Sequence, residues 1–166
     1  MTGQTARLSL PLLEAGQAQK ELFHNEALTL LDAAVQPAAE SVGAAAPPAA
    51  PSPGQSWIVG TAPTGAWAGR AGALATWTVG GWRFVDPVEG MSVWIADAGL
   101  AARFVGGAWD VGRITANALV IGGRQVVGAA QPAVASPAGG TVIDDAARGA
   151  ISGILAALRN HGLIAP

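Results

Sequence analysis

Two short groups of residues in this chain could do chemistry. His24-Asn25-Glu26 sets an imidazole, an amide and a carboxylate side by side, with Glu14 and Glu21 just upstream. Further on, Asp86, Glu89, Asp97 and Asp110 place carboxylates at intervals through a Gly-rich stretch. The first group has the donor types of an acid–base or metal site, and the second has those of a glycoside-hydrolysing pair. Neither is complete. On one helix, neighbours in sequence point to different sides, His24 with Glu21 falls short of a ligand set, and His161 lies at the far end of the chain. A structural role is therefore expected for His24, with hydrogen bonds anchoring its helix to a sheet, and no metal site is expected. A hydrolytic pair needs a defined separation inside a cleft, so Asp86-Pro87 and Asp97 are expected to cap turns instead.

Other chemistry is also unsupported. Ser9, Ser52, Ser56, Ser92 and Ser152 have no nucleophile-elbow context, and the chain holds only two histidines. The Gly pairs lack the Lys-Ser/Thr ending and the strand-to-helix setting of a phosphate loop. With no cysteine, disulfides and thiol chemistry are excluded. The chain is not expected to be an enzyme or to carry a cofactor.

The constellation with a plausible ligand is aromatic. Trp57, Trp67, Trp77, Trp82, Trp94 and Trp109 fall in one stretch of a chain that has no tyrosine. Indoles stack on the apolar C–H faces of sugar rings, and Arg70, Arg83, Arg103 and Asp110 are polar groups that could orient such a ring. Equally, the indoles could fill a sheet too small and Ala-rich to be filled otherwise, which is the expectation for Trp57, Trp77, Trp82, Trp94 and Trp109 taken as a set. Trp67, between Gly65-Ala66 and Ala68-Gly69, is expected to be the most exposed. The candidate glycan-binding residues are accordingly Trp67, Trp82 and Trp109.

The elements that must position these residues follow from the periodicity. Phe23, Ala27, Leu30, Leu31 and Ala34 recur at helical spacing between Gln17 and Val35, before Pro37, which predicts an amphipathic helix. Leu8 to Leu13, broken by Pro11, reads as an extended arm that packs on its own sheet or on a neighbour. Ser41 to Gly54 is rich in proline and alanine and reads as a linker outside any sheet. The period then changes to two. Short strands are expected around Ser56–Val59, Leu74–Val79, Trp82–Val85, Ser92–Ala96, Leu100–Val105 and Trp109–Val111. Leu74 to Trp82 and Leu100 to Trp109 look like copies, each a strand, a Gly-Gly turn and a strand opening on Trp, with Ala108 added in the second to give a longer or bulged turn. Ala118–Ile121 and Gln125–Val127 flank a further Gly-Gly pair, Pro132 to Gly140 reads as linker, and Thr141 to His161 as a helix. Asp144-Asp145 suit that helix's N-terminus, Gly162 its C-cap, and Ala147, Ile151, Ile154 and Leu158 form a stripe.

Composition bears on partners. Half of the chain is hydrophobic and only 12% charged, much of the apolar share being alanine. Burial between subunits would supply the missing core, although a base-composition bias toward Ala and Gly would look the same. Nine basic residues scattered singly, Lys20 the only lysine, argue against nucleic acid. No run is long and apolar enough for membrane insertion, and the opening Met1-Thr2-Gly3-Gln4 lacks signal-peptide character, so a soluble product released with a particle or by lysis is expected.

Leu10-Pro11-Leu12-Leu13-Glu14-Ala15-Gly16-Gln17-Ala18-Gln19-Lys20-Glu21, continuing to His24-Asn25-Glu26-Ala27-Leu28, resembles the opening of an uncharacterised conserved domain found in appendage proteins of alphaproteobacterial phages and gene transfer agents. Gly54 to Gly60, Thr64 to Gly69, Gly80-Gly81-Trp82-Arg83-Phe84 and Trp94-Ile95-Ala96-Asp97 are similar to later parts of it, and Ala146 to Ala165 is similar to a short C-terminal module of comparable phage proteins. The resemblance implies a structural virion protein, a head-spike or tail-fibre component for host-surface adhesion. Its implied partners are identical subunits in three- or fivefold symmetry, capsid or fibre proteins, and host polysaccharide. It implies no catalytic residues, and a base or connector rather than a receptor-binding tip.

The expected class is α+β and oligomeric: an arm and helix over 1–40, a Pro/Ala linker over 41–55, a Trp-rich antiparallel meander over 56–112, an extended Gly/Ala connector over 113–140, and a helix for oligomerisation or docking over 141–166. Ile151, Ile154, Leu155 and Leu158 are the candidate interface residues.

Overall fold

The computed structural model describes residues 3–13 and 20–166. The chain is α+β, and it divides into two compact units, Met1–Arg113 and Ile114–Pro166. In the first, helix α1 (Lys20–Ala34) is followed by the short strands β1 (Ala38–Ala39) and β2 (Val42–Ala44), then β3 (Ser56–Val59), a single 3₁₀ turn at Gly65–Trp67, β4 (Leu74–Thr78), β5 (Gly81–Val85), β6 (Ser92–Ile95), β7 (Leu100–Val105) and β8 (Ala108–Val111). Gln17 to Gln19 of the predicted helix, and Glu14, lie outside the described residues.

Instead of one meander there are two four-stranded sheets, ordered β2-β3-β4-β5 and β1-β6-β7-β8. Each is antiparallel except at one edge, where β2 runs parallel to β3 and β1 parallel to β6. The chain switches sheets between β1 and β2, across Glu40-Ser41. Part of the predicted linker therefore pairs within a sheet: the Ser41 carbonyl accepts from Ile58 N, and the Ala44 carbonyl from Gly60 N at 2.8 Å. The approach is close enough that a Cβ on Gly60 would stand 2.5 Å from the Gly43 oxygen. Proline stops the pairing only beyond Ala44.

Period-2 alternation supplies the core. Ile58 and Leu74 of the first sheet and Val93, Ile95 and Ala102 of the second meet Ala39 in one buried cluster. On the other face of the first sheet, Trp57, Val59, Ala75 and Trp67 form a second cluster, with Trp82 and Phe84 against it. Because β3 is covered on both faces, all four of its residues are buried. Its one inward hydroxyl, Ser56, is satisfied by Thr76 Oγ1 at 2.8 Å on the neighbouring strand.

The two hairpins differ from the expected repeat. In β7–β8 the Gly106-Gly107 loop, with φ of +60° and +82°, closes the turn on a Val105–Ala108 pair, the regular two-residue form. In β4–β5 the loop is Val79-Gly80, and the left-handed residue is Gly81, as in a bulged turn. The irregularity thus belongs to the shorter copy. Both loops span two residues, which sets Trp77 opposite Trp82 and Phe104 opposite Trp109, so each hairpin carries one cross-strand aromatic pair, with ring centroids 5.0 and 5.4 Å apart.

The arm packs on α1 through polar groups. Residues 3–12 fold back on themselves, Thr5 N donating to the Leu10 carbonyl and Leu12 N to that of Gly3. Asp32, buried in the last turn of the helix, accepts from the Thr5 hydroxyl at 2.8 Å and from the amides of Arg7 and Leu8. The Arg7 guanidinium donates to the carbonyls of Asp32 and Gln36, which the helix end leaves without internal partners. The predicted apolar stripe of α1 is only partly covered: Leu30 is half-buried and, with Ala27, Leu31 and Ala34, lines an open groove against Phe84 and Val85 of β5, while Phe23 is 82% exposed. Asp32 and Ala33 are the residues buried instead.

In the second unit, β9 (Leu119–Ile121) and β10 (Arg124–Val127) form a hairpin over Gly122-Gly123, and helix α2 (Asp145–Asn160) follows. Asp144 caps α2 by accepting from Ala147 N at 2.9 Å. At its other end Gly162, at φ +70°, lets Gly162 N reach the Arg159 carbonyl and Leu163 N that of Leu158. Gln131 pairs with Ile164, and Arg159 donates to the Val134 carbonyl. The predicted Pro132–Gly140 linker is thereby tied to α2.

Candidate functional site

The residues of the first sequence group separate into structural roles. Asn25 holds the arm, its amide both accepting from Leu13 N at 2.9 Å and donating to the Leu13 carbonyl at 3.0 Å. Glu26 pairs with Arg83 of β5 at 2.7 Å and is the anchor between helix and sheet. His24 is exposed and makes no hydrogen bond among the described residues, so the anchoring expected of it falls to its neighbours. Glu89 accepts from Gly106 N at a turn, while Asp86 and Asp97 stand exposed. No group of three or more His, Asp or Glu that could hold a metal exists among the described residues. No described helix is long and apolar enough to cross a membrane.

Four of the tryptophans, Trp57, Trp67, Trp77 and Trp82, pack on one another at the first sheet. Trp67 is 0% exposed, the reverse of the expectation for it. Gly65 and Gly69, at φ +59° and +78°, turn the backbone on either side of it, and its ring packs edge-on to Trp82, centroids 5.1 Å apart, and against Trp57 at 6.3 Å. Trp82 also meets Trp57 and Trp77, each as a T-shaped pair. The flanking cations are engaged here as well. Arg70 lies over the Phe84 ring at 5.1 Å, and Arg83 is held by Glu26. Of the candidate glycan residues, Trp67 and Trp82 are thus committed to packing.

Trp109 differs. Its indole N–H donates to the Gly72 carbonyl at 2.8 Å, which fixes the ring, and with Phe104 it lines a pocket of ≈ 430 Å³ beside Gly43, Gly60 and Thr61. The pocket is ready-formed and apolar, with no charged side chain in its wall.

A family model described as a protein of unknown function (DUF2793) matches residues 24–110. The chain belongs to the DUF2793 family. No curated protein matches it.

The DUF2793 match begins at His24 and ends at Asp110, so it takes in most of α1, both sheets and all the tryptophans. The motifs from His24 to Asp97 lie inside it, whereas the Leu10–Glu21 run and α2 lie outside. Within the DUF2793 region one indole faces out. Trp94 is 51% exposed, because Val93 and Ile95 of the same strand take the inward positions. That alternation was present in Ser92-Val93-Trp94-Ile95, and it is the signal that would have singled out Trp94.

The candidate interface residues of α2 also divide. Leu155 is 5% exposed, Leu158 is half-buried, and Ile151 and Ile154 are exposed.

Proposed function

We propose that this DUF2793 protein is a structural component of a phage-like particle, part of a head spike or tail fibre concerned with host-surface adhesion, and that it works by burying surface against copies of itself and neighbouring virion proteins. The observation that supports the reading best is the second unit. Over 53 residues, Ile114–Pro166, its only buried apolar side chains among the described residues are Leu155 and Ile164. Ile114, Val142, Ile143, Ile151 and Ile154 are exposed. A segment of that size with so little core lacks the apolar burial that offsets chain entropy, and association with other chains supplies it. The exposed Phe23 and Leu31 of α1 lie on one side of that helix and add apolar surface of the same kind. The link to phage and gene-transfer-agent appendages rests on the motif resemblance.

The reading is tested by purifying particles from cells that make the chain and locating it with an antibody under the electron microscope. Label at a head vertex or tail fibre is the expected result. A chain that stays with the cells and is missing from purified particles overturns the reading.

A further inference from the structure

The outer face of the second sheet combines a bare indole with a row of polar groups. Trp94 pairs across the sheet with Ala38 of β1 and Ala101 of β7, so no bulky side chain stands beside it on either neighbouring strand. Two residues along, Ser92 pairs with Arg103, and Arg103 with Asp110 of β8. A hydroxyl, a guanidinium and a carboxylate therefore lie in a row on the face that carries the Trp94 ring, about 7 Å further along the strands. Arg103 is exposed and has no carboxylate within ion-pair distance among the described residues. Asp110 meets only the exposed Arg113, at 3.7 Å.

We infer that this face binds a hexopyranose ring of an oligosaccharide. A pyranose presents axial C–H groups on one face and hydroxyls around its edge. The apolar face stacks on the Trp94 indole, whose ring carries negative charge toward the C–H groups. The edge hydroxyls meet complementary partners: Arg103 offers donors in a planar fork, Asp110 offers acceptors, and Ser92 offers either. The row begins two residues along from the indole, and the Arg103 guanidinium reaches on toward Gly90, so one ring stacks on Trp94 while the next ring of the oligosaccharide meets the row. Alanine at positions 38 and 101 leaves the approach open. The surface is flat, so the affinity of one copy is modest, and repeated copies in an assembly would raise it. This inference is independent of the particle reading, because it rests on the sheet alone.

The test is titration of the full chain with cellohexaose, a flat β-linked glucose chain, followed by tryptophan fluorescence and calorimetry, with galacto- and manno-oligosaccharides alongside. Saturable binding is expected for at least one of them. It should weaken about tenfold or more in Trp94→Ala and severalfold in Ser92→Ala or Arg103→Ala, while Trp109→Phe, in the separate pocket, leaves it unchanged. Circular dichroism establishes that each variant is folded. Absence of saturation with every sugar, or undiminished affinity in Trp94→Ala, overturns the proposal. So does protection of Trp94 from iodide quenching in the native chain, the outcome if a second copy covers this face.

Discussion

The Thr5 hydroxyl donates to the Asp32 carboxylate at 2.8 Å, joining two residues 27 apart in sequence inside a buried site. The same carboxylate takes the amides of Arg7 and Leu8. An arm that reads as apolar is thus fastened by a charge at the end of a helix. Asp32→Ala leaves two backbone donors and a hydroxyl without their acceptor, and should cost about 3 kcal/mol in urea unfolding of the chain. Hydrogen exchange at Arg7 and Leu8 should accelerate even at low denaturant. Thr5→Val removes one donor and should cost about 1 kcal/mol.

Trp67 and Trp94 should respond oppositely to truncation. Trp67→Ala opens a cavity beneath the 3₁₀ turn and unseats the rings of Trp57 and Trp82, with an expected loss of about 3–5 kcal/mol. Trp94→Ala removes a ring already half in water and should change stability by less than about 1 kcal/mol. Chemical denaturation of the two variants checks this. Acrylamide quenching adds a second reading, since Trp94→Ala should remove most of the accessible emission and Trp67→Phe little of it.

Gly60→Ala places a methyl group 2.5 Å from the Gly43 oxygen, a backbone atom that cannot swing aside as a side chain would. The β2 edge must separate from β3. A loss of about 1–3 kcal/mol is expected, together with faster hydrogen exchange at Ile58 and Gly60, whose amides donate to that edge.

What could be read from the sequence was whatever is encoded locally. The hairpin over Gly122-Gly123, the Asp144 cap and the Gly162 terminus need only neighbouring residues, and each stands where its residue types place it. β1 and β2 were not legible, because strands of two and three small residues carry no period and form only when β3 and β6 are already present. The α1 stripe was legible only as a face: helical spacing does not say how fully it is covered, and β5 covers it in part while the arm holds the opposite side through Asp32. For the candidate site, alternation in Ser92-Val93-Trp94-Ile95 held the information, yet reading the strand tryptophans as one set assigns Trp94 to the core with the rest. Trp67 was misread as exposed because Gly65 and Gly69 mark a turn, at φ +59° and +78°, and a turn does not say whether the ring at its centre folds inward.

The Glu26–Arg83 pair joins α1 to β5 at 2.7 Å, but both side chains are partly in water. Glu26→Gln should therefore cost less than about 1 kcal/mol, and the difference from the wild type should shrink in molar salt. A salt-independent loss of several kcal/mol would mean that the pair does more than tether the helix.

The central claim, that the chain completes its core by association, is tested most directly by the mass of the 166-residue chain in solution. Multi-angle light scattering across a concentration series should give a closed oligomer, a threefold or fivefold multiple of the 16.5 kDa protomer. Ile151→Asp with Ile154→Asp should shift it toward smaller species. A folded, stable 16.5 kDa monomer at every concentration would contradict the account.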